Sequence, residues 1–171
     1  MSDLTWLTMK GPATRWVLQG SDTVFRVAAG VWGVHFSPVA CRARGNGARA
    51  TLWLGPDEYL LWDAAPDALS IGDLERALGP HPHSLVDVSQ RQVALELAGP
   101  HVATILNGGC PLDLSLEAFP VDMCTRTVLA KAEIVLWRTA PEIFHLEVWR
   151  SFLGYTQGIL TEYGREFSEA P

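Results

Sequence analysis

Apolar residues along the chain fall mostly into short runs of strand length, separated by turn-forming residues. Arg15 to Gln19 and Val24 to Ala28 read as a first strand pair, divided by Gly20-Ser21-Asp22. Val31 to Phe36 reads as a further strand, followed by a loop from Ser37 to Gly47 rich in small residues and arginine. Ala50 to Leu54 and Tyr59 to Asp63 form a hairpin, because Gly55-Pro56-Asp57-Glu58 is turn chemistry between two apolar runs. The period then changes to that of a helix. Ser70 caps it with Asp73 three residues on, Ile71, Leu74 and Leu78 share one face, and Gly79 ends it.

After the loop Pro80 to His83, Ser84 to Val88 and Gln92 to Leu97 read as strands. Gly99-Pro100 opens a short helix with Val102, Ile105 and Leu106 as its stripe, and Asn107-Gly108-Gly109 stops it. Thr125 to Ala130, Glu133 to Arg138 and Phe144 to Val148 read as strands. A helix from about Ser151 to Tyr163 follows, with Phe152, Tyr155, Ile159 and Tyr163 on one face. Gly154 and Gly158 lie four apart on that helix, and each costs roughly 1 kcal/mol of helix propensity relative to alanine. That cost predicts close backbone packing at both. A strand-strand-helix unit thus recurs about three times, which implies antiparallel sheets with helices on one face, an α+β arrangement. No Pro/Ser-rich linker interrupts residues 1–171, so the chain reads as one compact unit.

Composition narrows the function classes. A hydrophobic share of 48% and a charged share of 19% exclude disorder, and no apolar run approaches the ~20 residues of a membrane helix. A net charge of −6 argues against nucleic acid as a partner. Met1-Ser2-Asp3-Leu4 carries no basic start to a secretory signal, and three cysteines without Cys-x-x-Cys spacing build neither a disulfide framework nor a zinc site. A reducing cytoplasm suits this usage. The seven tryptophans fill a core or anchor a large contact surface. Eleven arginines against Lys10 and Lys131 point the same way, since arginine favours bidentate pairing at interfaces.

Catalytic signatures are missing: there is no Gly-x-Ser-x-Gly elbow, Walker loop or His-Glu-x-x-His. Gly45-Asn46-Gly47 reads as a turn, and His35, His101 and His145 as isolated histidines. Asp87, inside the apolar run Leu85 to Val88, is an edge or cap residue, an intersubunit ion pair or a catalytic acid; Arg91 and Arg126 are candidate partners. Gly109-Cys110-Pro111-Leu112-Asp113 and Cys124-Thr125-Arg126-Thr127 suggest an internal Asp113–Arg126 pair, with Asp87 or a partner chain as the other choices for Arg126. No catalytic or metal-ligating residue is assigned.

Several blocks, in order, resemble the gamma subunit of heterotetrameric sarcosine oxidase. They are Leu54-Gly55-Pro56-Asp57-Glu58-Tyr59-Leu60-Leu61, Asp87-Val88-Ser89, Leu97-Ala98-Gly99-Pro100, Gly109 to Leu114, Phe119-Pro120, Cys124 to Thr127 and Arg150-Ser151-Phe152. The resemblance covers about residues 15–165. It implies two interleaved antiparallel-sheet-plus-helix lobes, like the folate-binding domain of the glycine-cleavage aminomethyltransferase. It further implies a non-catalytic assembly role beside alpha, beta and delta subunits, in oxidative demethylation of sarcosine to glycine with the one-carbon unit passed to tetrahydrofolate. FAD, FMN, NAD and tetrahydrofolate belong, by the same resemblance, to the partner subunits, and none to this chain. Asp87, Asp113, Arg126 and Arg150 are then structural or interface residues. The competing expectation is a stand-alone folate- or one-carbon-binding protein, which would place Asp87 or Asp113 in a buried pocket.

Overall fold

The computed structural model describes residues 6–65 and 71–168. Strands β1 (Leu7–Met9) and β2 (Thr14–Gly20) precede helix α1 (Asp22–Trp32). Strands β3 (Ala43–Gly45), β4 (Arg49–Gly55) and β5 (Glu58–Asp63) lead to α2 (Ile71–Leu78). Strands β6 (His83–Asp87) and β7 (Gln92–Ala98) come before α3 (Val102–Asn107). Strands β8 (Cys124–Leu129), β9 (Ala132–Ala140) and β10 (Ile143–Trp149) follow, and a 3-10 turn over Arg150–Phe152 runs into α4 (Leu153–Ser168). The chain divides into two compact units, one of residues 11–90 and one joining the segment up to Lys10 to Arg91 and beyond. The lobes therefore interleave along the sequence, as an α+β fold of two antiparallel sheets.

In the unit of residues 11–90 the strand order is β3-β4-β5-β2-β6, every pair antiparallel. Here two expected strands are overturned. Val24 to Ala28 lies inside α1, and Val31 to Phe36 spans the end of that helix and the irregular chain after it. The buried positions Val24, Phe25, Ala28 and Trp32 recur at helical spacing, so packing of one stripe outweighs the strand preference of valine and phenylalanine. Gly33 ends the helix at φ 77°, donating its N–H to Ala29 O at 3.0 Å. Trp32 meets Trp16 edge-on at 5.6 Å and donates Nε1–H to Ala50 O at 3.3 Å, which fixes α1 to the sheet. β3 falls within the segment read as loop. Ser70, read as the cap of α2, lies outside the described residues.

In the other unit the order is β1-β7-β10-β9-β8, again antiparallel throughout. Phe144, Leu146 and Val148 of β10 join Ile105, Leu106 and Leu160 in one core. Of the residues read as sharing one face, Phe152 lies in the 3-10 turn and is exposed, as is Tyr155 of α4, whereas Ile159 and Tyr163 pack against the core. The buried stripe runs through Thr156, Leu160 and Gly164, flanked by Leu153, Ile159, Tyr163 and Phe167. A threonine and a glycine in that stripe escape a count of apolar residues. Gly154 and Gly158 face open space, so the close-packing expectation fails there. The tight glycine is Gly164, where an added Cβ would lie 2.3 Å from the Trp6 ring. Gly108 and Gly109 likewise admit the Tyr163 ring, at 2.9 and 2.8 Å from an added Cβ. Among the described residues no helix is long and apolar enough to cross a membrane.

Candidate functional site

Alternation along β10 sorts its side chains. With Phe144, Leu146 and Val148 turned into the core, His145 and Glu147 point to the opposite face of the sheet. Both are buried, at 5% and 0% exposure, and His145 Nε2 lies 2.8 Å from Glu147 Oε1. Trp137, opposite His145 on β9, tilts against the imidazole at 5.7 Å. Glu96, opposite on β7, pairs with Lys10 at 2.9 Å. The expectation that His145 is isolated is thus corrected. The signal was present, because residues two apart on a strand share a face. A histidine bonded to a carboxylate is part of a nucleophilic triad, but the cross-strand neighbours Glu96, Trp137, Ala94 and Val135 bring no nucleophile to it.

Arg138 of β9 lies on the core side with Ile134 and Leu136 and is fully enclosed. Its guanidinium donates to Leu114 O at 2.9 Å, to Ser115 O at 3.2 Å and to Phe119 O, and stands 4.4 Å from the Phe144 ring centre. Burial pushes its pKa below the usual arginine value. Three carbonyl acceptors and an aromatic face offset that cost. The arginine that clamps the loop after Asp113 is therefore Arg138, which the sequence reading did not single out. An arginine in register with two core residues was the available clue.

The four residues singled out from the sequence lie apart from any buried cluster. Asp87 ends the edge strand β6, exposed, and accepts the Ser89 N–H at 2.8 Å. Asp113 is also exposed and accepts the Ser115 N–H at 2.8 Å. That amide, and then the Ser115 hydroxyl, hold its carboxyl below the ordinary value. Arg126 is exposed on β8, opposite Val135. Arg150 is exposed in the 3-10 turn, its N–H bonded to Arg91 O at 2.8 Å.

Two hollows are lined by aromatics. One in the unit of residues 11–90, about 580 Å³, has Phe25, Phe36 and Tyr59 on its walls and Arg26 and His35 beside them. One in the other unit, about 300 Å³, lies between Trp6, Pro100, His101 and Phe167. Among the described residues no group of three or more His, Cys, Asp or Glu side chains could hold a metal ion. The corner where β10 passes into α4 is different in kind. Trp149, Phe152 and Tyr155 are 42%, 39% and 38% exposed, and Arg91 lies over the Trp149 ring at 5.4 Å. Half-exposed aromatics beside arginine are the residues enriched at the centres of protein interfaces.

Comparison with known proteins agrees with this picture. Residues 19–165 match the model of the sarcosine oxidase, gamma subunit family. Sarcosine oxidase subunit gamma of Corynebacterium sp. (strain P-1) is 37% identical over 123 residues, covering 71% of this chain and 60% of that protein. The same subunit of Arthrobacter sp. is 37% identical over 76% of this chain and 62% of its own length. The matched stretch thus spans about three-fifths of the curated relatives. A chain of the heterotetrameric sarcosine oxidase from Corynebacterium sp. U-96, solved with pyrrole 2-carboxylate, superposes with a TM-score of 0.90. It is 32% identical, with 96% of this chain and 86% of that one covered. Aminomethyltransferase T of the glycine cleavage system from Bartonella henselae shares the fold alone, with a TM-score of 0.66 and 13% identity over 91% of this chain and 45% of that one. By its sequence and by its fold, this chain belongs to the sarcosine oxidase gamma subunit family.

Proposed function

We propose that this chain is a non-catalytic assembly subunit of a heterotetrameric sarcosine oxidase, a complex that demethylates sarcosine oxidatively to glycine and passes the one-carbon unit to tetrahydrofolate. The observation that supports this most is the superposition of 96% of the chain, at a TM-score of 0.90 and 32% identity, on one chain of the Corynebacterium complex. Its own residues are consistent with the role. His145 and Glu147 are buried and bonded to each other, and Arg138 donates to three backbone carbonyls, so these polar groups serve the fold. What the surface offers is contact area of interface type. The partners are alpha, beta and delta subunits, and FAD, FMN, NAD and tetrahydrofolate sit with them. Cys41, Cys110 and Cys124 form no disulfide among the described residues, which suits the proposed cytoplasmic location. A stand-alone folate-binding protein would need Asp87 or Asp113 buried in a pocket, and both are exposed. The test is reconstitution of the other three subunits with and without this chain. Assembly and sarcosine turnover are expected only with it, and the chain alone is expected to oxidise no sarcosine and to bind no folate. Full assembly and activity without it, or turnover by the chain alone, would overturn the proposal.

A further inference from the structure

The corner between β10 and α4 gathers features that folding does not require. Arg150, Ser151 and Phe152, one of the blocks through which the chain resembles its family, are exposed at all three positions. Phe152 and Tyr155 meet edge-on at 6.3 Å, and the Tyr155 hydroxyl accepts the Lys131 N–H at 3.4 Å, which brings the β8–β9 turn to the same place. Arg91 covers Trp149, and the Arg150 N–H bonds Arg91 O, which ties the start of β7 to it. Three segments thus build this corner: 89–95, 128–132 and 148–161. The acids that border these segments are Glu96, paired with Lys10, Glu162, paired with Arg165, the buried Glu147 and the exposed Glu133; the segments themselves carry no acid, in a chain of net charge −6. They contribute Arg91, Lys131 and Arg150. A cationic, aromatic corner on an acidic protein selects its partner by charge as well as by apolar area.

Resting on the reading as an oxidase subunit, we infer that Trp149, Phe152 and Tyr155, framed by Arg91, Lys131 and Arg150, form the docking surface for a neighbouring oxidase subunit. The partner's matching surface is an apolar socket with an acidic rim. Aromatic rings of this size lose little side-chain freedom on docking, and the flanking cations steer and align the encounter.

The experiment measures binding of the full chain to the purified alpha, beta and delta subunits, singly and mixed, at low and high salt. Phe152→Ala with Tyr155→Ala is expected to weaken binding at least tenfold, and Arg91→Glu with Arg150→Glu to weaken it and reduce its salt dependence. Leu116→Ala, at an exposed leucine outside the three segments, should bind as the unsubstituted chain does. Melting temperatures of the isolated variants separate lost contact from lost fold, since both pairs replace exposed side chains. If the unsubstituted chain binds and both well-folded double variants bind equally tightly, this surface assignment falls while the subunit reading stands. If the unsubstituted chain binds none of these subunits, singly or mixed, the subunit reading falls. If the substitutions instead abolish only self-association, the occupant is a second copy of the chain and the assignment to another subunit is wrong.

Discussion

Glu147 has no exposed surface, and its carboxylate is held 2.8 Å from a histidine that is itself nearly enclosed. Removing one member of such a pair leaves the other's buried polar group without that bond, at a cost of about 1–3 kcal/mol. Glu147→Ala is therefore expected to lower the unfolding free energy by about that amount, read from urea denaturation; a loss below about 1 kcal/mol would show that the pair holds nothing. Asp113 makes the opposite case, a carboxylate on the surface whose pKa is lowered by the Ser115 amide. A folded-state value below the unfolded one gives stability that is present above the ordinary value of 3.8 and is lost as pH falls through the lowered value. Asp113→Asn should accordingly flatten the fall of melting temperature below that pH, and an unchanged acid limb would count against the Ser115 bond. At this scale the sequence was least legible. Asp113 and Arg126 looked like a pair because each stands out in its own segment, yet the cation on the Asp113 loop comes from Arg138. The alternation of Arg138 with Ile134 and Leu136 on β9 was the one sign that it faces inward.

Helices α1 and α4 show what one sequence pattern leaves open at the level of elements. Val24 to Ala28 is apolar enough for a buried strand, and five residues cannot separate a period of two from one of 3.6. The stripe becomes plain only when Trp32 is included. The hairpin of β4 and β5, by contrast, follows from Gly55-Pro56-Asp57-Glu58, because turn chemistry acts locally and tertiary packing seldom overrides it. In α4 the error lay in reading every helical glycine as a contact. Gly158 faces open space, so Gly158→Ala should raise stability by up to about 1 kcal/mol. Gly164→Ala must push Trp6 aside and should destabilise by about 1–3 kcal/mol. Thermal melts of the two variants check both signs, and equal shifts would remove the distinction between the two faces of α4.

For the whole molecule, the recurrence of strands and helices was enough to give an α+β fold. It was not enough to show that the chain spends its first strand in the sheet completed by its last. β1 pairs β7 and then leaves to build a separate sheet from residues 11–90, and pairing across more than eighty residues of chain has no local signature. The His145–Glu147 pair and the guanidinium of Arg138 are turned inward and bonded within the fold, whereas the aromatic corner beyond β10 is turned outward. On the proposed reading, a subunit built this way acts through what it binds. Native mass spectrometry of the four co-expressed subunits tests that most directly. The intact oxidase is expected to contain one copy of this chain, and omission of the chain is expected to leave only smaller, inactive species. An assembly of full activity that lacks the chain would contradict the assembly role.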